Sequence, residues 1–257
     1  MTNIFIIGHW IYQYILNIGK FTCFLYRIIS NIIIILKRPK LVLQQIYFIG
    51  NKSILIIVVA GVFIGFILGL QGYYTLSKYK SEDALGLTIA LSLIRELSPV
   101  VTAILFAGRA GTSITAEIGL MKAEEQLIAM KIMAVDPVRR IITPRFFAGV
   151  ISMPLLSSIF CTSGLMGGWY IGVFSGVDSG VFWSQIQHGI DIKGDILNSL
   201  LKSLIFGIIS ISISLYEGWQ SKPTPEGVSE SITRSVVNGY LSILGINFLL
   251  TAIMFKN

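Results

Sequence analysis

Charge placed inside apolar sequence is where this chain can do chemistry. Arg95 and Glu96 sit at the midpoint of an apolar stretch, residues 84–107. A charge at the centre of a membrane-spanning helix is unfavourable by roughly 2.5–3.5 kcal/mol on insertion scales, so it faces a cavity or a partner. Sequence neighbours on a helix point about 100° apart, and these two cannot simply neutralise each other. Pro99 displaces the hydrogen bond to the Arg95 carbonyl and kinks the helix at the same place. Two readings stand side by side. One is a pair of interhelical salt bridges with Lys202 as the partner of Glu96, and the other is a polar site lining a substrate path.

The elements that must hold these residues follow from composition. Hydrophobic residues make up 54% of the 257 positions and charged residues 13%, against about 25% charged in a soluble domain. The chain reads as an all-α, polytopic membrane helical bundle. Five spans have the ~20-residue length that a bilayer requires: Ile54–Leu76, Ala84–Ala107, Phe146–Val177, Ile196–Tyr216 and Ser235–Phe255. The third is longer than needed and is expected to tilt, kink near Pro154 or end in a loop.

The net charge of +7 is topological and not a nucleic-acid surface. Cations cluster before the first span, in residues 109–145 and in the 217–234 loop, whereas only Lys78, Lys80, Lys193 and Lys256 fall on the opposite side. The positive-inside rule puts the N-terminus in the cytoplasm and the C-terminus outside. No removable signal peptide is expected, because the start lacks a basic leader and a small-residue cleavage site.

Residues 1–50 form an N-terminal region and 51–257 the membrane domain. Phe21–Leu36 is apolar but short, holds Arg27, and is bounded by Lys20 and by Lys37 and Arg38. With Trp10, Tyr12, Tyr14 and Tyr26 nearby, it reads as an interfacial helix, a sixth span being the rival. Glycines recur every fourth residue at 61, 65 and 69, and again at 164, 168, 172 and 176, the spacing of close helix packing. In the first span Gly65, Leu68, Gly72, Leu76 and Tyr79 share a face with Thr75 beside it. That face is either a packing surface or the wall of a cavity.

Thr112–Ala134 reads as one amphipathic helix. Its apolar face is Ala116, Leu120, Ala123, Leu127, Met130 and Ala134, with Glu117, Lys122, Glu124, Glu125 and Lys131 largely elsewhere. Thr112 or Ser113 is expected to cap its start, Asp136-Pro137 to end it, and Thr143-Pro144 to open the third span. It is either a plain interfacial helix or a docking helix for a cytoplasmic partner. Gly108-Arg109-Ala110-Gly111-Thr112 lacks the lysine and the spacing of a nucleotide-binding loop, so an ATP-driven motor must be another chain. Cys23, Cys161, His9 and His188 have no metal-like spacing, and neither a cofactor nor a catalytic constellation is expected.

The run Arg95-Glu96-Leu97-Ser98-Pro99, then Leu105-Phe106-Ala107-Gly108-Arg109-Ala110-Gly111, Thr115-Ala116-Glu117-Ile118-Gly119, Ala134-Val135-Asp136-Pro137 and Pro144-Arg145-Phe146 resembles the MlaE (YrbE) family of ABC-transporter permeases. The resemblance covers roughly residues 45 to 257. It implies a homodimer of five-span subunits, each with an N-terminal interfacial helix and a cytoplasmic coupling helix at 113–135. It also implies a cytoplasmic ABC ATPase, a periplasmic MCE-domain lipid-binding partner, and phospholipid as the cargo moved between inner membrane and outer envelope. The site it implies comprises Leu68, Thr75, Leu76, Tyr79, Arg95 and Glu96, and the ATPase contact Glu117, Leu120, Ala123, Glu124, Glu125, Leu127 and Met130. A bacterial inner membrane is the expected home, a plastid inner envelope the alternative. A non-transporting scaffold recruiting a partner through 113–135 is the rival function.

Overall fold

Long uncharged runs in lipid leave each segment to satisfy its own backbone groups, and helices are how a single segment does so. The computed structural model describes residues 2–32 and 39–254, and among them there is no strand. The helices are α1 (Thr2–Ser30), α2 (Pro39–Ser77), α3 (Glu82–Ala123), α4 (Gln126–Ile132), α5 (Val138–Phe174), α6 (Ser179–Gly189), α7 (Lys193–Gln220) and α8 (Pro225–Met254). Of these, α2, α3, α5, α7 and α8 are long and apolar enough to cross a membrane, the five spans expected from sequence.

The boundaries differ from expectation in an instructive way. α3 does not stop at Ala107 but runs 42 residues to Ala123. At about 1.5 Å per residue it is about 63 Å long, twice the ~30 Å hydrocarbon core. Thr112 is therefore mid-helix and caps nothing: its hydroxyl donates back to the carbonyls of Gly108 and Arg109. Thr143 likewise donates to the Val138 carbonyl inside a continuous α5. The single helix expected over 112–134 is broken at Glu124-Glu125, where Glu125 adopts a left-handed φ of 58°. The third span is unbroken through Pro154 and stops at Phe174. α6 was not expected, although Asp178 supplies an N-cap, its carboxylate accepting from the amides of Gly180 and Val181.

The most extensive helix contact joins α2 to α5, and its seam is glycine on glycine. A Cβ on Gly65 would strike the Gly164 carbonyl, so the two backbones touch directly. On its other side α5 meets α3, with Leu93 against Gly164 and Ile89 against Gly168. α7 then packs against α5, α8 and the last turns of α3. There Thr115 Oγ1 donates to the Ser214 carbonyl at 2.9 Å and lies 3.1 Å from Ser235 Oγ.

α1 lies across one end of the bundle. Phe21 and Phe24 set their rings against Tyr216, and Arg27 Nη2 reaches Asp136 Oδ2 at 3.1 Å. At the same end Lys122 Nζ donates to the Trp219 carbonyl at 2.8 Å, closing the C-terminus of α7. α1 starts well before Phe21 and ends at Ser30, and it is not among the five helices apolar enough to span. The side chains of Trp10, Tyr12 and Tyr14, together with Lys37, Arg38, Phe255 and Lys256, lie outside the described residues.

Candidate functional site

Proline has no N–H, so Pro99 leaves the Arg95 carbonyl without its helical donor. The helix answers with a widened, π-type turn over Leu93–Leu97, a feature that recurs at functional sites. Lys202 of α7 supplies the missing donor, its Nζ 3.0 Å from the Arg95 carbonyl oxygen. The same ammonium lies 2.9 Å from Glu96 Oε1 and 3.0 Å from Thr251 Oγ1 of α8. One buried lysine thus ties three helices together at the widened turn.

Glu96 is held asymmetrically. Its Oε1 accepts from Lys202 and from Thr251, both at 2.9 Å. Among the described residues its Oε2 has only long contacts, 3.3 Å from Asn247 Nδ2 and 3.3 Å from Thr251 Oγ1. Arg95 turns the other way, its Nε donating to Asp195 Oδ1 at 2.7 Å. Asp195, at the start of α7, also accepts from the Asp191 amide at 3.2 Å. Burial is unequal across the cluster. The Lys202 side chain is 1% exposed and Asp195 5%, whereas Glu96 is 35% exposed and Arg95 40%. The inner lysine and aspartate anchor an outer arginine and glutamate that remain reachable.

The interhelical salt-bridge reading of Arg95 and Glu96 is what the structure contains, with Lys202 as the partner of Glu96, and both side chains keep a third or more of their surface exposed. Sequence reasoning missed Asp195, Asn247 and Thr251. Helical spacing held the signal: Asp195 and Lys202 are seven apart, Asn247 and Thr251 four apart, each pair on one face.

The first-span residues lie at other depths. Gly164 faces both Leu93 and Gly61, so those two share a level. From Gly61 it is seven residues to Leu68 and fifteen to Leu76, about 10 and 22 Å along the helix, with Tyr79 in the turn just beyond its end. Leu68 and Leu76 are half-buried against the core. Thr75 and Tyr79 are exposed, and Thr75 Oγ1 donates to its own Gln71 carbonyl. These residues climb outward from the level of Arg95 and do not gather around it. Gly65 belongs to the packing seam and not to an open wall. A groove of about 380 Å³ between α2 and α5, lined by Val58, Ser158, Ile159, Thr162, Ser163 and Met166, does not include the charged cluster.

Towards the end of α3 the buried face is Ile114, Thr115, Ile118 and Gly119, whereas Ala116, Leu120 and Ala123, from the apolar stripe read in the sequence, are half-buried or exposed. Leu120 is exposed, as are Ile128, Ile132 and Met133 around α4. Glu117 is engaged by Arg145 at 2.6 Å, Leu127 is buried and Met130 half-buried, so these three do not stand clear of the chain. Glu124 and Glu125 are exposed at the break before α4, and Glu124 Oε2 accepts from Gln126 at 2.6 Å. Lys131 lies over the Trp219 ring, folding α4 back towards α7.

Comparison with known proteins agrees with this architecture. The family described as Permease MlaE matches residues 42–253. The intermembrane phospholipid transport system permease protein MlaE of Haemophilus influenzae is 53% identical over 220 residues, covering 85% of this chain and 84% of that protein. A probable ABC transporter permease protein of Rickettsia typhi is 34% identical over 255 residues, 98% of this chain and 97% of its own length. Another from Porphyra purpurea is 32% identical over 215 residues, 83% and 81% of the two chains. With its five spanning helices and a family match over most of its length, this chain is a multi-pass membrane protein that belongs to the MlaE permease family.

Proposed function

We propose that this chain is the permease subunit of an ABC transporter that moves phospholipids between the inner membrane and the outer envelope. The Haemophilus influenzae relative carries that activity in its name. The observation that carries the reading is the half-exposed Arg95 and Glu96 in the middle of an apolar span. From Leu85, at the outer end of α3, ten residues lead to Arg95, about 15 Å and half the hydrocarbon core. A guanidinium there attracts a lipid phosphate through charge-assisted hydrogen bonds. Leu68, Thr75, Leu76 and Tyr79, stepping outward along α2, follow the length of an acyl chain.

The chain works with a separate cytoplasmic ABC ATPase, since it has no phosphate-cradling loop of its own. The ATPase docks on the segment from Leu120 through α4 to Val135, where Leu120, Ile128, Ile132 and Met133 are exposed. A second copy completes the lipid cavity, and a periplasmic MCE-domain protein receives or delivers the lipid. The N-terminus lies in the cytoplasm and the home is a bacterial inner membrane; the interfacial unit is α1, because α2 runs unbroken from Pro39 across residue 50 into the first span.

Reconstituted vesicles test the site. Arg95→Ala is expected to abolish ATP-dependent transfer of a fluorescent phospholipid while the ATPase still co-purifies. Transfer at the parent rate in that variant overturns the assignment.

A further inference from the structure

Among the described residues, the charges of the cluster sum to zero. Arg95 and Lys202 are balanced by Glu96 and Asp195, and each cation already faces a carboxylate at 2.7 or 2.9 Å. At mid-bilayer depth a net charge is strongly disfavoured. A purely anionic headgroup entering this cluster leaves one uncompensated negative charge. A headgroup carrying both signs leaves none.

The hydrogen bonds point the same way. Among the described residues Glu96 Oε2 has only the two 3.3 Å contacts, although it belongs to a carboxylate that is 35% exposed. The Asn247 amide that makes one of them has its Oδ1 buried without a hydrogen-bond partner among the described residues. Two under-used acceptors therefore belong to facing side chains of α3 and α8, and the residue next to Glu96 on α3 is an arginine that is 40% exposed and turned towards Asp195. Buried acceptors lacking donors are unfavourable, and an N–H donor relieves them. A primary ammonium offers three such donors.

We propose that the site selects a zwitterionic phospholipid headgroup, a phosphodiester joined by two carbons to a primary ammonium. Arg95 takes the phosphate and Glu96 Oε2 takes the ammonium, with Asn247 Oδ1 as a further acceptor once its half-buried amide turns. Asp195 is the specificity element against anionic lipids, because it already supplies the negative charge that Arg95 requires. This rests on the assignment of Arg95 as the phosphate ligand made under the proposed function.

The unmutated full-length chain, purified in mild detergent, is exposed to vesicles of equimolar phosphatidylethanolamine, phosphatidylcholine and phosphatidylglycerol, and the retained lipid is identified by mass spectrometry. Phosphatidylethanolamine is expected to exceed each of the others by about tenfold, a difference of about 1.4 kcal/mol. Phosphatidylcholine carries the same net charge but has no N–H, and phosphatidylglycerol has no cation. Equal retention of either competitor overturns the proposal. Asp195→Asn is expected to raise the phosphatidylglycerol share, and an unchanged share in that variant also counts against it. Asp195→Glu keeps the charge and the parent preference, and a switch to phosphatidylglycerol there overturns the role of Asp195. The underlying assignment is read separately through Arg95→Ala. If that variant retains lipid like the parent chain, both readings fall. If it loses lipid while the parent chain shows no preference among headgroups, only the zwitterion proposal falls.

Discussion

Lys202 is the residue on which the cluster turns. It is buried, yet it serves a carboxylate, a hydroxyl and the backbone carbonyl that Pro99 leaves unsatisfied. Removing one partner of a buried ion pair destabilises by about 3–5 kcal/mol, and the one-third exposure of Glu96 moves the expectation to the lower end. Lys202→Met is therefore expected to lower the thermal unfolding midpoint in detergent by the equivalent of about 3 kcal/mol. Adding Glu96→Gln removes the stranded charge and should recover part of that loss. Two single losses that simply add would exclude the coupling. Arg95, Glu96 and the Lys202 pairing were legible in the sequence because ionisable residues in apolar runs are rare. Asp195 was not, since it lies at the edge of a span where a charge passes for a loop residue. Asn247 and Thr251 are neutral, and polarity without charge gives little contrast in a helix.

Among the elements, the segment from Thr112 to Val135 best separates what periodicity can and cannot tell. Its amphipathic pattern is real, but the helix belongs to α3 up to Ala123 and turns its Ile114–Ile118 side inward. The stripe through Ala116, Leu120 and Ala123 is left facing outward or half-covered. Periodicity gives the existence of a face, and only the neighbouring helices decide which of two faces they cover. The break fell at Glu124-Glu125 because Glu125 takes a left-handed conformation without the glycine that usually announces one. If α4 and its approach dock the ATPase, reversing both charges in Glu124→Lys and Glu125→Lys should weaken ATPase co-purification while the chain still inserts. Undiminished recovery of the ATPase in a pull-down would exclude that surface.

At the scale of the whole molecule, span count and packing seam came through clearly. Hydropathy marks a bilayer-length segment directly, and glycine every fourth residue marks close backbone approach. The continuity of α3 through Gly108-Arg109-Ala110-Gly111 and the short α6 did not, because neither stretch differs in composition from a loop beside a membrane. The seam carries a further test. Gly65→Leu places a side chain against the Gly164 backbone, and at this contact nothing flexible can yield. That variant should fail to accumulate as folded protein, read as loss of the monodisperse peak in detergent, whereas Gly245→Leu should be tolerated because nothing lies within 4 Å of its Cβ position. Equal behaviour of the two would contradict the seam.

Backbone lying on backbone between α2 and α5 also limits how such a machine can work. Surfaces locked that closely part only at high energy, and packed helices that do move slide by small steps. α8, by contrast, has 11% of its most apolar window buried and offers Leu241, Leu244 and Phe248 outward. If a working cycle parts this bundle, α8 is the span with the least buried apolar window to separate, and its movement would pull on Asn247 and Thr251, the hand that steadies Glu96.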